Sequence, residues 1–286
     1  MTRILRFIPA APFLLGVSVL ALSACNSTTR ADVERALDPL NVIDETNMSD
    51  IMLTAADPSE AVNYFRRAVE ADPTRVDLLR GLATSLVRAG RAAEALTVWQ
   101  QVVDHDGAME QDHVDYADAL IRTGDWDGAQ TQLNAVPPTF ESYERYRLEA
   151  MVADSDEQWD RADSFYETAA GLTTRPANVY NNWGYSHLTR GDYPGAEDLF
   201  LRAISYDPEL FTAKNNLVLA RAAQGNYTLP LINMTQTERA QLLHTVALAA
   251  IRRGDVDEGR GLLNEAIDTH PQHFEAAVEA LRALDA

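Results

Sequence analysis

The sequence predicts an all-α protein: a helix-turn-helix solenoid of about six to seven repeats, wound as a right-handed superhelix and closed by a C-terminal capping helix. Three observations predict it. A pattern of small and large apolar residues recurs every 34 positions, clearest over 177–210, where Trp183-Gly184, Gly191, Tyr193, Ala196, Phe200, Ala203 and Pro208 hold fixed places. Gly90, Gly124, Gly191, Gly225 and Gly254 share one turn position. Pro73, Pro208 and Pro271 stand where the second helix of a repeat must stop. Repeats of this kind bury a continuous core between neighbours and present an extended surface rather than a closed catalytic pocket.

The first element, 1–24, reads as an export signal. Arg3 and Arg6 precede an apolar run from Phe7 to Leu22 that Pro9 and Pro12 interrupt. A spanning helix needs about 20 apolar residues, which this run does not supply. It ends Leu22-Ser23-Ala24-Cys25, which resembles the lipobox of bacterial lipoproteins. The resemblance implies cleavage before Cys25 and a diacylglyceryl group on its sulfur, with a further acyl chain on its amine. Chains of that number hold a protein firmly to one leaflet. Asn26 is not the Asp that retains enteric lipoproteins at the inner membrane, so the family rule implies the periplasmic face of the outer membrane. Cys25 is the only cysteine, which excludes an intrachain disulfide.

Residues 25–41 read as the lipidated Cys and a polar tether, with the solenoid domain at 42–286. Repeats fall near 42–75, 76–109, 110–142, 143–176, 177–210, 211–239 and 240–273, with a cap at 272–286. The first has a degenerate first helix but a clear second one, carrying Ala61, Phe65, Ala68 and Pro73. The second is complete: Leu82-Ala83, Gly90, Ala95, Trp99 and Val102. The third, with Tyr116-Ala117, Gly124 and Ala129, is cut short by Pro137-Pro138. In the fourth, Glu157 stands where the turn glycine belongs. The repeat from Phe211 loses its second helix at Leu229-Pro230-Leu231, and Gly225 to Gly254 is only 29 residues. The break is either a degenerate repeat or a shaped docking site. The last repeat shows Ala247, Gly254, Leu263, Ala266 and Pro271, and the cap aligns Phe274, Val278, Leu281 and Leu284.

These positions resemble the tetratricopeptide repeat (TPR) from about Val42 to His273. Small residues, Gly184 among them, let helices approach closely, and the turn glycines permit a left-handed residue between helices. In TPR arrays a fixed set of first-helix positions lines the concave face. Carried onto this chain, that set implies a partner-binding groove containing Arg80, Arg88, Arg122 and Arg147, then Asn178, Asn181, Tyr185 and Asn215. Arg grips carboxylates with two parallel bonds. Asn reaches both edges of an extended peptide, and Tyr adds contact area at low entropy cost. Asp77, Asp118, Glu144 and Asp154 share the face, so it is charge-mixed, and the lysine pair of the chaperone-type carboxylate clamp is missing.

The formal charge of −19 opposes nucleic-acid binding, and removing Arg3 and Arg6 makes the mature chain two charges more negative. Lys214 is the only lysine. The chain contains no dinucleotide fingerprint, P-loop or His-Glu-x-x-His. His270, His273 and Glu275 lack a fourth metal ligand. The expectation is therefore no enzyme, no metal, no small-molecule substrate, and no cofactor beyond the lipid on Cys25.

Lipoprotein signal, spacer, repeats and the segments Ala213-Lys214-Asn215-Asn216-Leu217 and Ile267-Asp268-Thr269-His270-Pro271-Gln272-His273-Phe274 together resemble the TPR lipoproteins of the tight-adherence (Tad, Flp-type) pilus assembly and secretion system. That resemblance implies protein partners, the secretin or other pilus components, and membrane contact through the lipid alone. Two alternatives stay open: a pilotin of a related secretion system, and an adaptor for a cell-wall hydrolase or protease.

Overall fold

A computed structural model describes residues 48–284. The export signal, Cys25 and the tether at 25–41 lie outside the described residues. The chain divides into two compact units, Met1–Ala55 and Ala56–Ala286. Of the first, the described part is helix α1, 48–54, which ends with the Ala55 N–H on the Ile51 carbonyl at 2.9 Å.

The second unit is helical throughout, with no strand among the described residues. It opens with α2 (Pro58–Ala71) and continues as helix pairs: α3 (Val76–Arg88) with α4 (Ala92–Val103), and α5 (Glu110–Thr123) with α6 (Trp126–Ala135). Next come α7 (Tyr143–Ser155) with α8 (Trp159–Gly171), and α9 (Ala177–Thr189) with α10 (Tyr193–Tyr206). Helix α11 (Phe211–Ala223) has no helical partner of its own, and α12 (Gln236–Arg253) pairs with α13 (Val256–Thr269) before α14 (Glu275–Leu284). From α2 to α14 each helix packs on the next, and first helices also touch the first helices of the next pair. The wall formed by α3, α5, α7, α9 and α11 carries the site.

One turn recurs between the helices of a pair. The glycines at 90, 124, 191, 225 and 254 all have φ between +72° and +97°, and Glu157 joins them at +57°. The following N–H then reaches back five residues: Arg91 to Leu86 at 2.8 Å, Gln158 to Ala153 at 2.9 Å, Asp255 to Ala250 at 3.0 Å. This satisfies carbonyls that a helix end would otherwise orphan. The prolines at 73, 208 and 271 each stand two residues past the last helical one.

Packing follows the small-against-large pattern. A Cβ on Gly184 would lie 2.7 Å from the ring of Phe200, so only hydrogen fits there. Gly81 meets Phe65 in the same way, at 2.2 Å. Phe200, Ala203, Ala213 and Leu217, all fully buried, form one core cluster. Between α6 and α7, buried Arg145 holds the Pro137-Pro138 turn. Its Nη1 donates to the Pro137 and Phe140 carbonyls at 2.8 and 2.9 Å, and its Nε donates to Glu149 at 2.9 Å.

The repeat from Phe211 departs from the pattern. Residues 224–235 form no helix. Tyr227, Leu229 and Met234 pack onto the C-terminal core instead, and Ile232 packs onto the preceding one. Helix α12 begins at Gln236, four residues before the start at Ala240 that the repeat phase predicts. The reason is a capping box: Thr235 accepts from the Glu238 N–H at 3.1 Å, and Glu238 accepts from the Thr235 N–H at 2.7 Å. The other Glu238 oxygen pairs with Lys214, 1% exposed, at 2.8 Å. In the cap, Phe274, Leu281 and Leu284 pack on the final core around buried Ala277; Val278 is half-buried beside them.

Candidate functional site

Two recesses open along the wall of first helices, one on each side of the Arg147–Met151 turn of α7. The larger encloses about 460 Å³ between α7, α9 and α11. Met151 and Asp154 come from α7, Tyr166 from α8, and Trp126 from the start of α6. Helix α9 supplies Asn181, Asn182, Tyr185 and Ser186, and α11 supplies Thr212 and Asn216. Tyr185, 54% exposed, and Trp126, 36% exposed, leave large apolar faces open to a ligand.

The polar groups here are organised rather than scattered. Asn216 Nδ2 donates to Asn181 Oδ1 at 3.1 Å, joining consecutive repeats. The Asn182 amide fits best with its oxygen 3.3 Å from Arg147 Nη1 and its nitrogen 3.2 Å from the Asn178 carbonyl. Asp154 accepts from Tyr166 OH at 2.8 Å and from Ser186 Oγ at 2.7 Å. Burial raises its carboxyl above the ordinary carboxylate value, and these two bonds only partly offset that. Behind the cavity, Tyr166 stacks on Trp183 and Trp183 on Tyr180, while the Trp183 indole N–H donates to Asp163 at 2.7 Å. The aromatic stack and the doubly hydrogen-bonded Asp154 back the floor of this cavity.

The smaller recess, about 230 Å³, lies between α3, α5 and α7. It contains Arg88, Arg122 and Arg147 from the expected groove, together with Asp115, Asp118 and Glu144. The arginines are engaged within the chain. Arg122 and Arg147 both reach Asp118, at 2.5 and 3.2 Å. Arg88 donates to the Ala56 carbonyl at 3.2 Å.

Of the residues expected in the groove, the structure brings Asn181 and Tyr185 to the central cavity and Arg88, Arg122 and Arg147 to the charged recess. Arg80 lines neither. Its guanidinium is bound by buried Asp112 at 2.7 and 2.8 Å and by the Gly107 carbonyl at 2.6 Å, so it joins two repeats instead of facing a ligand. Asn178 is exposed beside the cavity, and Asn215 turns to Thr245, accepting at 2.9 Å. Sequence reasoning passed over Asn182, Asn216 and Asp115, which lie one place along each first helix from the family positions. Their signal was present: Asn182 and Asn216 are themselves 34 residues apart. Trp126 came unannounced, because it starts a second helix.

Among the described residues no group of His, Asp and Glu is placed to hold a metal ion, and His273 pairs with Glu275 on the surface at 2.6 Å. No helix among them is long and apolar enough to cross a membrane.

Two sequence profiles described as tetratricopeptide repeat match the chain, one over 52–108 and 86–152 and the other over 181–229. A tetratricopeptide repeat and J domain-containing co-chaperone, DNJ1 of Fusarium oxysporum f. sp. lycopersici, is 24% identical over 190 residues, 63% of this chain and 36% of the relative. Among solved structures, the APC/C hetero-tetramer Cut9–Hcn1 superposes with a TM-score of 0.61 at 13% identity, covering 88% of this chain and 51% of that one. A tetratricopeptide repeat protein from Parabacteroides merdae ATCC 43184 gives 0.54 at 14% identity over 87% of this chain and 97% of that one. The chain thus spans about a third of the fungal co-chaperone and half of the Cut9–Hcn1 chain.

Proposed function

The chain belongs to the tetratricopeptide repeat family, and from that premise we propose that it is a membrane-anchored adaptor holding an extended segment of a partner protein in the cavity between α7, α9 and α11. One observation carries this reading: exposed Tyr185 and Trp126 flank a preformed apolar cavity whose rim bears Asn181, Asn182 and Asn216. An extended peptide needs amides to satisfy its backbone and apolar area for its side chains, and both are present. The chemistry is non-covalent.

The export signal and Cys25 favour a lipid-anchored protein on the periplasmic face of the outer membrane. Anchoring confines the solenoid to a surface and raises its effective concentration near other membrane proteins. Resemblance to the Tad/Flp pilus lipoproteins favours a role in pilus assembly, with the secretin as partner whose position or stability it supports.

The test is crosslinking and recovery of the palmitate-labelled chain from its own envelope. Wild type should take up label and capture the secretin. The double variant Asn181→Ala, Tyr185→Ala should take up label, melt as wild type does and lose the partner. Undiminished capture by that variant removes this cavity from the mechanism, and absence of label removes the anchor.

A further inference from the structure

We propose that the partner segment held between α7, α9 and α11 is proline-rich, an uncharged stretch in the polyproline II conformation whose rings lie against Trp126 and Tyr185. The proposal rests on the groove reading above and adds the partner's chemistry to it.

It starts from which polar atoms of the cavity are already engaged. Most of the oxygens are taken. Asn181 Oδ1 accepts from Asn216, the Asn182 oxygen faces Arg147, and the Asp154 oxygens accept from Tyr166 and Ser186. The hydroxyls of Ser155 and Thr189 donate back to carbonyls of their own helices, at 2.7 and 2.9 Å. The open groups are mainly donors. Asn181 Nδ2 stands 3.5 Å from the Asn182 amide atom that is a nitrogen in the fitting orientation, so it meets no acceptor there. Among the described residues the Trp126 indole N–H and the Tyr185 hydroxyl also have no partner. Against these donors stands one open amide acceptor, Asn216 Oδ1.

That imbalance separates the conformations a guest could take. A guest helix has its carbonyls bonded within itself, which leaves the donors unanswered. A β-strand brings an N–H for every carbonyl and needs a sheet edge to pair with, whereas the wall here is helical. Polyproline II has no internal hydrogen bonds, and each proline contributes a carbonyl without an N–H. It is the guest that answers donors without asking for acceptors.

A second observation is independent of hydrogen bonding. Tryptophan is highly buried on average, yet Trp126 is 36% exposed, and Tyr185 is 54% exposed. They reach the cavity from different helices, α6 and α9, and Met151 of α7 adds to the apolar lining. Aromatic-lined grooves of this kind suit prolyl rings, and the guest loses little entropy because its conformation is already fixed. Prolines three apart fall on one face of polyproline II, about 9 Å from each other. Charge does not choose the guest: Asp154 is the one Asp, Glu, Lys, Arg or His among the lining residues, and both its oxygens are bonded.

The experiment uses the full-length chain in detergent and immobilised decapeptide pools with two positions, three apart, fixed in a random background. Pools with proline at both should be retained about ten-fold over pools with alanine, a difference of 1.4 kcal/mol. Pools with N-methylalanine, which lacks the N–H but has no ring, should fall between. Tyr185→Leu, whose ring is exposed, should melt as wild type does and lose the proline preference. Trp126→Phe, which keeps a ring and removes the indole N–H, should weaken it. Equal retention of the proline and alanine pools, or a proline preference intact in Tyr185→Leu, overturns the proline reading and leaves the groove standing. N-methylalanine retained no better than alanine removes the donor argument and the proposal with it. Retention of no pool by a chain that still captures its partner through Asn181 and Tyr185 also overturns this proposal alone. Retention of no pool, with undiminished capture by the Asn181→Ala, Tyr185→Ala variant, overturns both.

Discussion

In the pair α9–α10 the second helix lays Phe200 against Gly184, whereas after α11 the equivalent space is filled by an irregular segment carrying Tyr227, Leu229, Ile232 and Met234. The first arrangement is apolar and repetitive. The second depends on a polar clasp, the Lys214–Glu238 pair, in which Glu238 also caps α12. A solenoid can therefore omit a helix where something else orients the next first helix, and here that is one buried charge. Lys214, the only lysine in the chain, sits at this position.

The largest effect should come from opening the clasp. Glu238→Ala leaves the Lys214 ammonium buried without its anion and removes half of the capping box. Breaking a buried pair costs about 3–5 kcal/mol, and the partial exposure of Glu238 places the loss near the lower end. Replacing both partners, Lys214→Met with Glu238→Gln, should recover most of it. Equilibrium urea unfolding of the three chains checks this. The pH dependence has a definite sign. Burial would raise the Glu238 carboxyl, but bonds from Lys214 and the Thr235 N–H outweigh it and hold it below its ordinary 4.5. An acid lowered in the folded state adds stability above its unfolded value and loses it as pH falls through the folded one. The gap between wild type and Glu238→Ala should thus be full at neutral pH and close below pH 4.5. A gap constant with pH would show that the ion pair does not hold α12.

In the regular pair the matching experiment is Gly184→Leu. The new side chain must displace a Phe200 ring that is fully buried, where even a Cβ comes within 2.7 Å. Overpacking of this kind costs about 1–3 kcal/mol. Unlike the clasp variant, it should be insensitive to pH between 4 and 8, since no titrating group is touched. If Gly184→Leu melts as wild type does, close helix packing is not what holds this pair.

The same contrast explains how much of the molecule was legible. Periodicity located the first helices beginning at Val76, Glu110, Tyr143, Ala177 and Phe211, because every turn repeats the same steric demand. Where the chain abandons the repeat, periodicity carries no information. The start of α12 is set by Thr235 and Glu238, a local capping signal that the 34-residue phase overrode. The groove was legible less fully, for a related reason. Repeat position tells which way a Cα faces, not which partner a long side chain finds. Arg80 faces the wall as expected, yet Asp112 takes it, while Asn182, Asn216 and Asp115 reach the recesses from a neighbouring position.

Glu157 supplies the smallest effect and the finest distinction. Its turn is irregular in residue but regular in backbone: φ is +57°, and the Gln158 N–H returns to the Ala153 carbonyl at 2.9 Å, as at the glycine turns. The side chain is exposed and holds no partner among the described residues. An L residue in the left-handed region costs about 1–2 kcal/mol, and glycine gives back part of that relief through its freer unfolded chain. Glu157→Gly should therefore stabilise by about 0.5–1 kcal/mol, a rise of roughly 1–4 °C in melting temperature for a domain of this size. Gly191→Glu, the reverse change at a turn of the same geometry, should lose a similar amount. A destabilised Glu157→Gly would mean that the glutamate serves this turn through some other contact, and the α7–α8 turn would then belong with the clasped region rather than with the repetitive one.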